Sequence, residues 1–483
     1  MLVSRLFWTV WRSPTLMTWA SMTLRIGGLA VLVPIVLTRL KTQEVLVWQV
    51  LSTITTLINW TDFGFSPTFS RIIAFSRGGG RLADLHGPKP RRADADASGA
   101  PDRLSIPAVL GTQRVIYRML VGGATVLALT LGTATLLRPV SGLEHPIDGW
   151  IAWAFTIVAS QIILLNGANI SVLTGFDRIA TARRTDFAVG AIQLASTSAV
   201  ALSGAGLVAI VGCYSFWQLP LFLLNRWNVS RLDTGIDHRS PAVLDRAVFR
   251  SVWPAAWRSG IGAFMSAGII QISGLVCAQV AAPAAAAAYL LALRMMTVIN
   301  QLAQAPFYSK LPTLARLYAA KQTDELLRLA RRGMVISYWT FTLGALALIV
   351  AAPYLLRLIR SSVAFPDFYI SALLALAFFT ERYGGMHIQL YSLKNHIVWH
   401  VVSGVTAVIM ILVFVSLFPL VGVIAMPAAM LCGYLGFHSW YSARLSARSL
   451  NIKRWDFERR TVVGPAVTLI VGLGVYWLFA IRR

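Results

Sequence analysis

Residues 397–416 read IVWHVVSGVTAVIMILVFVS, a stretch without an Asp, Glu, Lys or Arg. A hydrocarbon core about 30 Å thick asks this length and composition of a crossing helix. Working outward, comparable apolar runs lie at 15–38, 44–72, 115–137, 150–173, 185–202, 206–225, 252–280, 284–309, 334–352, 367–391 and 420–441. A last run, 461–480, is long enough for a thirteenth crossing. The chain of 483 residues is 57% hydrophobic and 13% charged, about half the charge of a soluble protein. No stretch sustains the period-two alternation of a barrel strand. The sequence therefore predicts an all-α membrane protein.

Charge sets the orientation. The net charge of +24 fits either a nucleic-acid surface or basic loops left on the cytoplasmic side. Of the 43 Lys and Arg, about 31 fall in cytoplasmic segments, about 7 in periplasmic ones and about 5 in spans when the N-terminus is inside. The clusters are Arg77 to Arg92, Arg178 to Arg184, Arg226 to Arg246, Lys310 to Arg332 and Arg444 to Arg460. They alternate with spans instead of gathering on one face, so no nucleic-acid partner is expected. The expected place is the bacterial inner membrane, N-terminus cytoplasmic, with basic loops against anionic membrane lipids. The loop 77–113, with Gly78-Gly79-Gly80 and Ala93-Asp94-Ala95-Asp96, has a composition that cannot bury a core. Cys213, Cys277 and Cys432 lack metal or redox spacing, and neither a cofactor nor a metal is expected.

An internal repeat divides the chain. Pro67-Thr68-Phe69-Ser70-Arg71-Ile72 matches Pro312-Thr313-Leu314-Ala315-Arg316-Leu317 at proline, threonine and arginine, each at the end of the second span of a half. Arg25-Ile26-Gly27 and Arg258-Ser259-Gly260 sit in the first span of each half. Two halves of six crossings share one orientation, so their pseudo-two-fold axis runs along the membrane normal. The expected units are an N-terminal six-helix bundle at 1–230, a C-terminal six-helix bundle at 231–442, and a basic segment with the last apolar run at 443–483.

The segment Trp60-Thr61-Asp62-Phe63-Gly64-Phe65-Ser66-Pro67-Thr68-Phe69-Ser70-Arg71 resembles the Asp-x-Gly segment near the end of the second helix in Wzx-type polysaccharide flippases. Leu317 to Lys321 and Leu326 to Leu329 resemble the amphipathic linker in the second half of these proteins, which belong to the multidrug/oligosaccharidyl-lipid/polysaccharide (MOP) exporter superfamily. The resemblance covers the first dozen spans. It implies two six-helix bundles around a central cavity, and flipping of a lipid-linked oligosaccharide or export of a polysaccharide precursor. The insertion at 77–113 and the thirteenth apolar run depart from the simplest twelve-helix pattern.

Charged residues within spans carry the functional reading. An arginine at the bilayer centre costs about 2.5–3.5 kcal/mol or more, so it normally faces a wet cavity or a partner. Arg25 and Arg294 fall near mid-membrane and Arg258 lies shallower. The expectation is that all three line the cleft and bind a phosphate bidentately, against the alternative of snorkelling or structural pairing. Arg71 and Arg316, at the cytoplasmic mouth, are read as topology anchors or as gate residues touching the headgroup. Asp62 and Glu381 are candidates for ion coupling, against a salt bridge to a nearby arginine or a helix-end position. Glu381 and Arg382 are neighbours about 100° apart on a helix and are not expected to pair. His387, His396, His400 and His438 read as interfacial, and Trp48 as part of an aromatic belt.

The leading function is a transporter, not an enzyme, that moves a lipid-linked oligosaccharide or polysaccharide precursor from the cytoplasmic to the periplasmic side by alternating access. A polysaccharide polymerase or assembly protein is its expected partner. A multidrug exporter of the same superfamily is the first competitor, although cationic drugs favour an acidic cavity and the in-span charge is mostly arginine. A membrane polymerase or ligase is the second, although the short periplasmic loops leave no room for a catalytic domain.

Overall fold

The computed structural model describes residues 14–77, 106–232, 243–263, 268–393, 398–451 and 454–481. Among these every regular element is helical. Seven helical runs are long and apolar enough to cross a membrane, and two shorter apolar helices add to them. Large hydrophobic side chains such as Met119, Leu131, Ile411 and Val415 are exposed along these helices, a surface that water disfavours and lipid accepts. The chain is a multi-pass membrane protein.

The chain forms two compact units, residues 1–40 with 50–264 and residues 41–49 with 265–483. In the first unit α1 (Pro14–Arg39) packs on α7 (Ile179–Leu202). Gly28 lets them approach, since a Cβ there would meet Leu194 at 3.3 Å. The second predicted span is not one rod. It runs as α2 (Thr42–Asn59), a 3-10 turn at Trp60–Asp62, and α3 (Phe65–Arg77). Phe63 (φ 45°) and Gly64 (φ 72°) make the break, and left-handed backbone ends a helix.

α4 (Ile106–Leu127) continues through a π turn into α5 (Thr133–Ser141). It starts nine residues before the expected 115, inside the stretch read as loop; residues 78–105 lie outside the described ones. α6 (Pro146–Gly175) is the hub of the first unit and packs against α3, α4, α8 (Leu207–Phe216) and α9 (Gln218–Ser230). α10 (Arg246–Ala263) packs on α3 and α4 in the same unit. A core of Phe65, Phe69, Ile73, Ile116, Val172 and Val252 joins them.

The second unit contains α11 (Ile269–Val280), α12 (Pro283–Tyr308), the short α13 (Leu311–Ala319), α14 (Thr323–Leu358), α15 (Phe368–Ser392) and α16 (Trp399–Val421). A 3-10 turn at Gly422–Ile424 leads into α17 (Ala425–Gly433), a π turn at Tyr434–His438 and α18 (Ser439–Leu450). The alanine run opens α12, and Ala286 and Ala287 are fully buried, so small side chains bring the helices close. α19 (Arg454–Arg459) and α20 (Val463–Ile481) follow. The last apolar run is thus a helix. It packs on α14, where the Thr342 hydroxyl donates to the Pro465 carbonyl at 3.3 Å and Gly472 sits against Leu346.

The sequence repeat is also a repeat of structure. α3 and α13 are short helices set off from the span before them. Phe69 and Leu314 are fully buried, Ile72 and Leu317 are buried, and Arg71 and Arg316 are exposed. The weaker Arg-x-Gly match has no common packing. Nothing lies within 4 Å of a Cβ built on Gly27, whereas one on Gly260 would fall 2.4 Å from the Phe63 Cα.

Candidate functional site

Two buried polar centres stand inside the spans, one in each unit. In the first, Asp62 sits in the 3-10 turn that interrupts the second span. Its Oδ1 accepts from the Tyr117 hydroxyl at 2.6 Å and its Oδ2 accepts from the Ser66 backbone N–H at 3.0 Å. Ser66 lies in the first turn of α3, so the carboxylate caps an otherwise unsatisfied helix start and lies at the positive end of its dipole. Gly167 leaves room for the pair, because a Cβ there would stand 3.5 Å from Tyr117 and 3.8 Å from Asp62 Oδ1. The Ser66 hydroxyl donates to the Gly167 carbonyl at 3.4 Å. Asp62 therefore ties α3 to α4 at the broken helix, and Ser66 carries the link on to α6.

In the second unit, Asn300 on α12 joins two charged neighbours on α15. Its amide Nδ2 donates to Glu381 Oε2 at 3.0 Å. Its Oδ1 accepts from Arg382 Nε at 2.9 Å and Nη2 at 2.7 Å. Arg382 Nη1 reaches Gln304 at 3.5 Å, and the guanidinium stands 5.9 Å from the Tyr308 ring centroid. Arg382 Nη2 also lies 3.3 Å from Glu381 Oε2. The expectation that these neighbours do not pair is corrected here. Their Cβ vectors diverge, but the long arginine side chain bends back while Asn300 holds both groups.

One turn toward the end of α15 a second cluster forms. The Tyr383 hydroxyl donates to Glu458 Oε1 at 2.6 Å, His387 Nε2 lies 3.2 Å from the same oxygen, and His387 Nδ1 pairs with the Ser446 hydroxyl at 2.7 Å. Glu458 thus fastens α19 to α15, and His387 in turn joins α15 to α18 through Ser446. His387 and His438 are buried, not interfacial, and His438 packs so closely on Gly384 that a Cβ there would overlap its ring. His400 is exposed, and His396 lies outside the described residues.

The arginines singled out from sequence are distributed as follows. Arg294 on α12 is half-buried, its guanidinium 4.6 Å from the Trp48 ring centroid. Trp48 is buried beneath a cation instead of lying in an aromatic belt. Arg25 lies on α1 and Arg258 on α10, both in the first unit, and their side chains fall outside the described residues. Arg71 and Arg316 are exposed at equivalent positions. Among the described residues no cluster of His, Cys, Asp and Glu has the makings of a metal site.

Sequence reasoning missed Tyr117, Asn300 and Glu458. Tyr117 and Asn300 are ordinary residues for a span, and nothing in their spacing marks them. Glu458 stands between Arg454 and Arg459 in a stretch read as solvated and basic. Its one signal is a carboxylate, close to Asp456, in a basic segment shortly before an apolar run.

No protein-family model matches the sequence, and no curated relative matches it. Solved structures do match in fold. An inward-facing multidrug resistance MATE family transporter of the MOP superfamily superposes with a TM-score of 0.60 at 11% identity, covering 91% of this chain and 99% of that one. The lipid II flippase MurJ, in an inward closed conformation, superposes with a TM-score of 0.59 at 11% identity, over 97% of this chain and 100% of that one. The MATE transporter ClbM in complex with Rb+ follows at 0.54 and 14% identity, over 92% and 96%. The chain has the fold that these multidrug-transporter and lipid-flippase structures share.

Proposed function

We propose that the protein is a transporter that flips an anionic, lipid-linked oligosaccharide or polysaccharide precursor from the cytoplasmic to the periplasmic leaflet by alternating access. Its fold is shared by a lipid flippase and by drug exporters, so the choice between them rests on charge. The observation that carries it is the state of the in-span ions. Asp62 is held by Tyr117 and Ser66, and Glu381 by Asn300 and Arg382. A cationic drug needs acidic groups that are open to it. Arg294 places a half-buried guanidinium against the Trp48 ring. A delocalised, permanently charged fork of this kind suits phosphate.

In this reading Arg25, Arg258 and Arg294 receive the phosphate, and Arg71 and Arg316 meet the headgroup at the cytoplasmic mouth. The lipid tail stays in the bilayer, so the protein shelters only the polar part. Asp62 supplies coupling. A proton or cation on its carboxylate competes with the cap it gives α3, and so links ion binding to the shape of the broken helix. Glu381 is the corresponding group of the second unit. A polymerase or assembly protein takes the product in the periplasm.

The test is flipping of a polyprenyl-diphosphate sugar by protein reconstituted in vesicles, beside efflux of a cationic dye. Arg294→Ala is expected to lower flipping tenfold or more, taking a charge-assisted hydrogen bond at about 1.5–3 kcal/mol, and Arg294→Lys is expected to fall between. Asp62→Asn is expected to abolish dependence on the ion gradient while substrate still binds. Wild-type flipping by Arg294→Ala, or robust dye efflux without flipping, would reject the proposal.

A further inference from the structure

Between Glu381 and Glu458, within the second unit, the facing sides of α15 and α18 carry more polar groups than their packing uses. The two helices run parallel in one register. The Ser439 hydroxyl donates to the Thr380 carbonyl at 2.9 Å and Ser446 pairs with His387 at 2.7 Å, each across an offset of 59 residues. His438, Ser442 and Ser446 share one helix face at intervals of four residues, about 6 Å. His438 packs on Gly384, and a Cβ on the adjacent Gly385 would stand 3.4 Å from Glu381 Oε1. A line of polar groups thus follows the seam from Glu458 through His387, Ser446, Ser442 and His438 to Glu381.

Two of its members are buried without a bond. The Ser442 hydroxyl and His438 Nδ1 have no hydrogen-bond partner among the described residues. Dry burial of such groups is costly, and water settles where polar groups converge. The 6 Å between successive side chains equals two hydrogen bonds, so one water links Ser446 to Ser442 and another links Ser442 to His438. At the other end the chain is already made. His387 Nδ1 pairs with Ser446 Oγ at 2.7 Å, and its Nε2 lies 3.2 Å from Glu458 Oε1. An imidazole bonded at both nitrogens takes a proton on one and releases one from the other. The Ser446 hydroxyl also lies 3.0 Å from the Ala443 carbonyl, which gives it a second acceptor to turn to as a proton passes.

The surrounding groups leave four residues to titrate. On α15, Tyr383 donates to Glu458 Oε1 at 2.6 Å and Arg382 sits beside Glu381. α14 brings Tyr338, its ring 6.5 Å from that of Tyr383, and Arg331, 5.7 Å from the Phe457 ring. α12 brings Tyr308 beside Gly385, and the π turn brings Tyr434, its ring 5.5 Å from His438. Arg444 and Arg448 on α18 and Asp456 and Arg459 on α19 are exposed, and α17 and α20 contain no Asp, Glu, Lys, Arg or His. Near neutral pH phenols keep their protons and guanidiniums their charge. The two histidines and two glutamates are left to exchange protons.

We infer that this seam conducts protons to Glu381 from the basic end of the span, which the charge rule sets in the cytoplasm, so that the ion coupled in the second unit is a proton. A proton enters at Glu458 and passes to His387 Nε2 while Nδ1 gives one to Ser446. It then moves through Ser442 and His438 to the Glu381 carboxylate. The inference rests on the reading of Glu381 as a coupling group.

The experiment follows the carboxyl stretch of Glu381 by time-resolved infrared spectroscopy after a drop in pH, with the full chain in lipid nanodiscs and Glu381→Gln to identify the band. Ser442→Ala removes a hydroxyl that bonds no described residue. It is expected to be as stable as wild type and to slow protonation of Glu381 about tenfold or more, the effect of one broken hydrogen bond in the chain. Ser439→Ala, on the same seam but bonded to the Thr380 carbonyl, is expected to protonate at the wild-type rate. His387→Gln keeps polar atoms but holds no proton, is expected to slow the band as well, and decides the question should Ser442→Ala fail to fold. Equal rates in Ser442→Ala and Ser439→Ala, or a Glu381 band that answers to sodium and not to pH, would overturn the inference. Protonation of Glu381 along the seam in a protein that flips no polyprenyl-diphosphate sugar would uphold the path and reject the transport reading, so the two fail separately.

Discussion

Asn300→Ala is the sharpest test of the second-unit centre. Asn300 gives one hydrogen bond to Glu381 and takes two from Arg382, and Arg382 is only 3% exposed. In a soluble core, bonds to charged groups are worth about 1.5–3 kcal/mol each, so three would suggest a loss near 5–9 kcal/mol. That overstates the case in a membrane, where the unfolded state also finds partners and measured interhelical bonds average about 0.6 and reach about 1.7 kcal/mol. Three bonds on that scale give about 2–5 kcal/mol. Glu381 and Gln304 still touch Arg382, so the lower half of the range is expected. Asn300→Asp keeps the oxygen that accepts from both Arg382 nitrogens but sets a second carboxylate beside Glu381, and is expected to cost less than alanine. The assay is reversible unfolding of the protein in mixed micelles by rising SDS fraction. An Asn300→Ala protein within about 0.5 kcal/mol of wild type, or an aspartate less stable than the alanine, would refute the bridging role.

Gly260→Ala is expected to destabilise by about 3 kcal/mol or to prevent folding, since the new Cβ meets backbone that cannot step aside. Gly27→Ala, in open space on α1, is expected to be neutral or slightly stabilising by thermal unfolding in detergent. Glu458→Ala strips the half-buried Tyr383 and the buried His387 of their acceptor, a loss of about 1–3 kcal/mol. Trypsin should then cut after Arg459 or Arg460 faster than in wild type, and an unchanged rate would show that this carboxylate does not hold α19. Single cysteines placed at 226–250, 310–332 and 443–460 should escape a membrane-impermeant label applied from the periplasm, and reaction at any of them would reverse the orientation of that half.

The helical membrane class was legible because hydrocarbon imposes a length and a composition that a sequence cannot disguise. The Pro-Thr-x-x-Arg repeat was legible too, since its buried and exposed positions recur in the same register in α3 and α13. The breaks were not. Helix 2 reads as continuous apolar sequence through Asn59, and its interruption depends on Phe63 taking a left-handed backbone against Gly260, a contact about two hundred residues away in the chain. Asp62 and Glu381 stood out as charges in apolar runs. Their partners Tyr117 and Asn300 did not, because a tyrosine or an asparagine in a span becomes conspicuous only once folding brings it to a carboxylate. Arg382 was read by its angle on the helix, which ignores the reach of a long side chain.

The α16–α17–α18 hairpin bears on how the protein is made. No Asp, Glu, Lys or Arg occurs between Lys394 and Arg444, and the reversal is a tight one at Gly422, whose φ of 56° and ψ of −131° only glycine adopts readily. A nascent chain of this kind offers the insertion machinery two crossings with almost nothing to translocate between them. The pair is then expected to enter the bilayer as one closed unit, and the positive-inside rule predicts that Lys394 on one side and Arg444 and Arg448 on the other hold both of its ends in the cytoplasm. A side chain at Gly422 would act on biogenesis, by splaying the two arms before they insert, and the fraction of chains integrated into the membrane would report it where the activity of the surviving molecules would not.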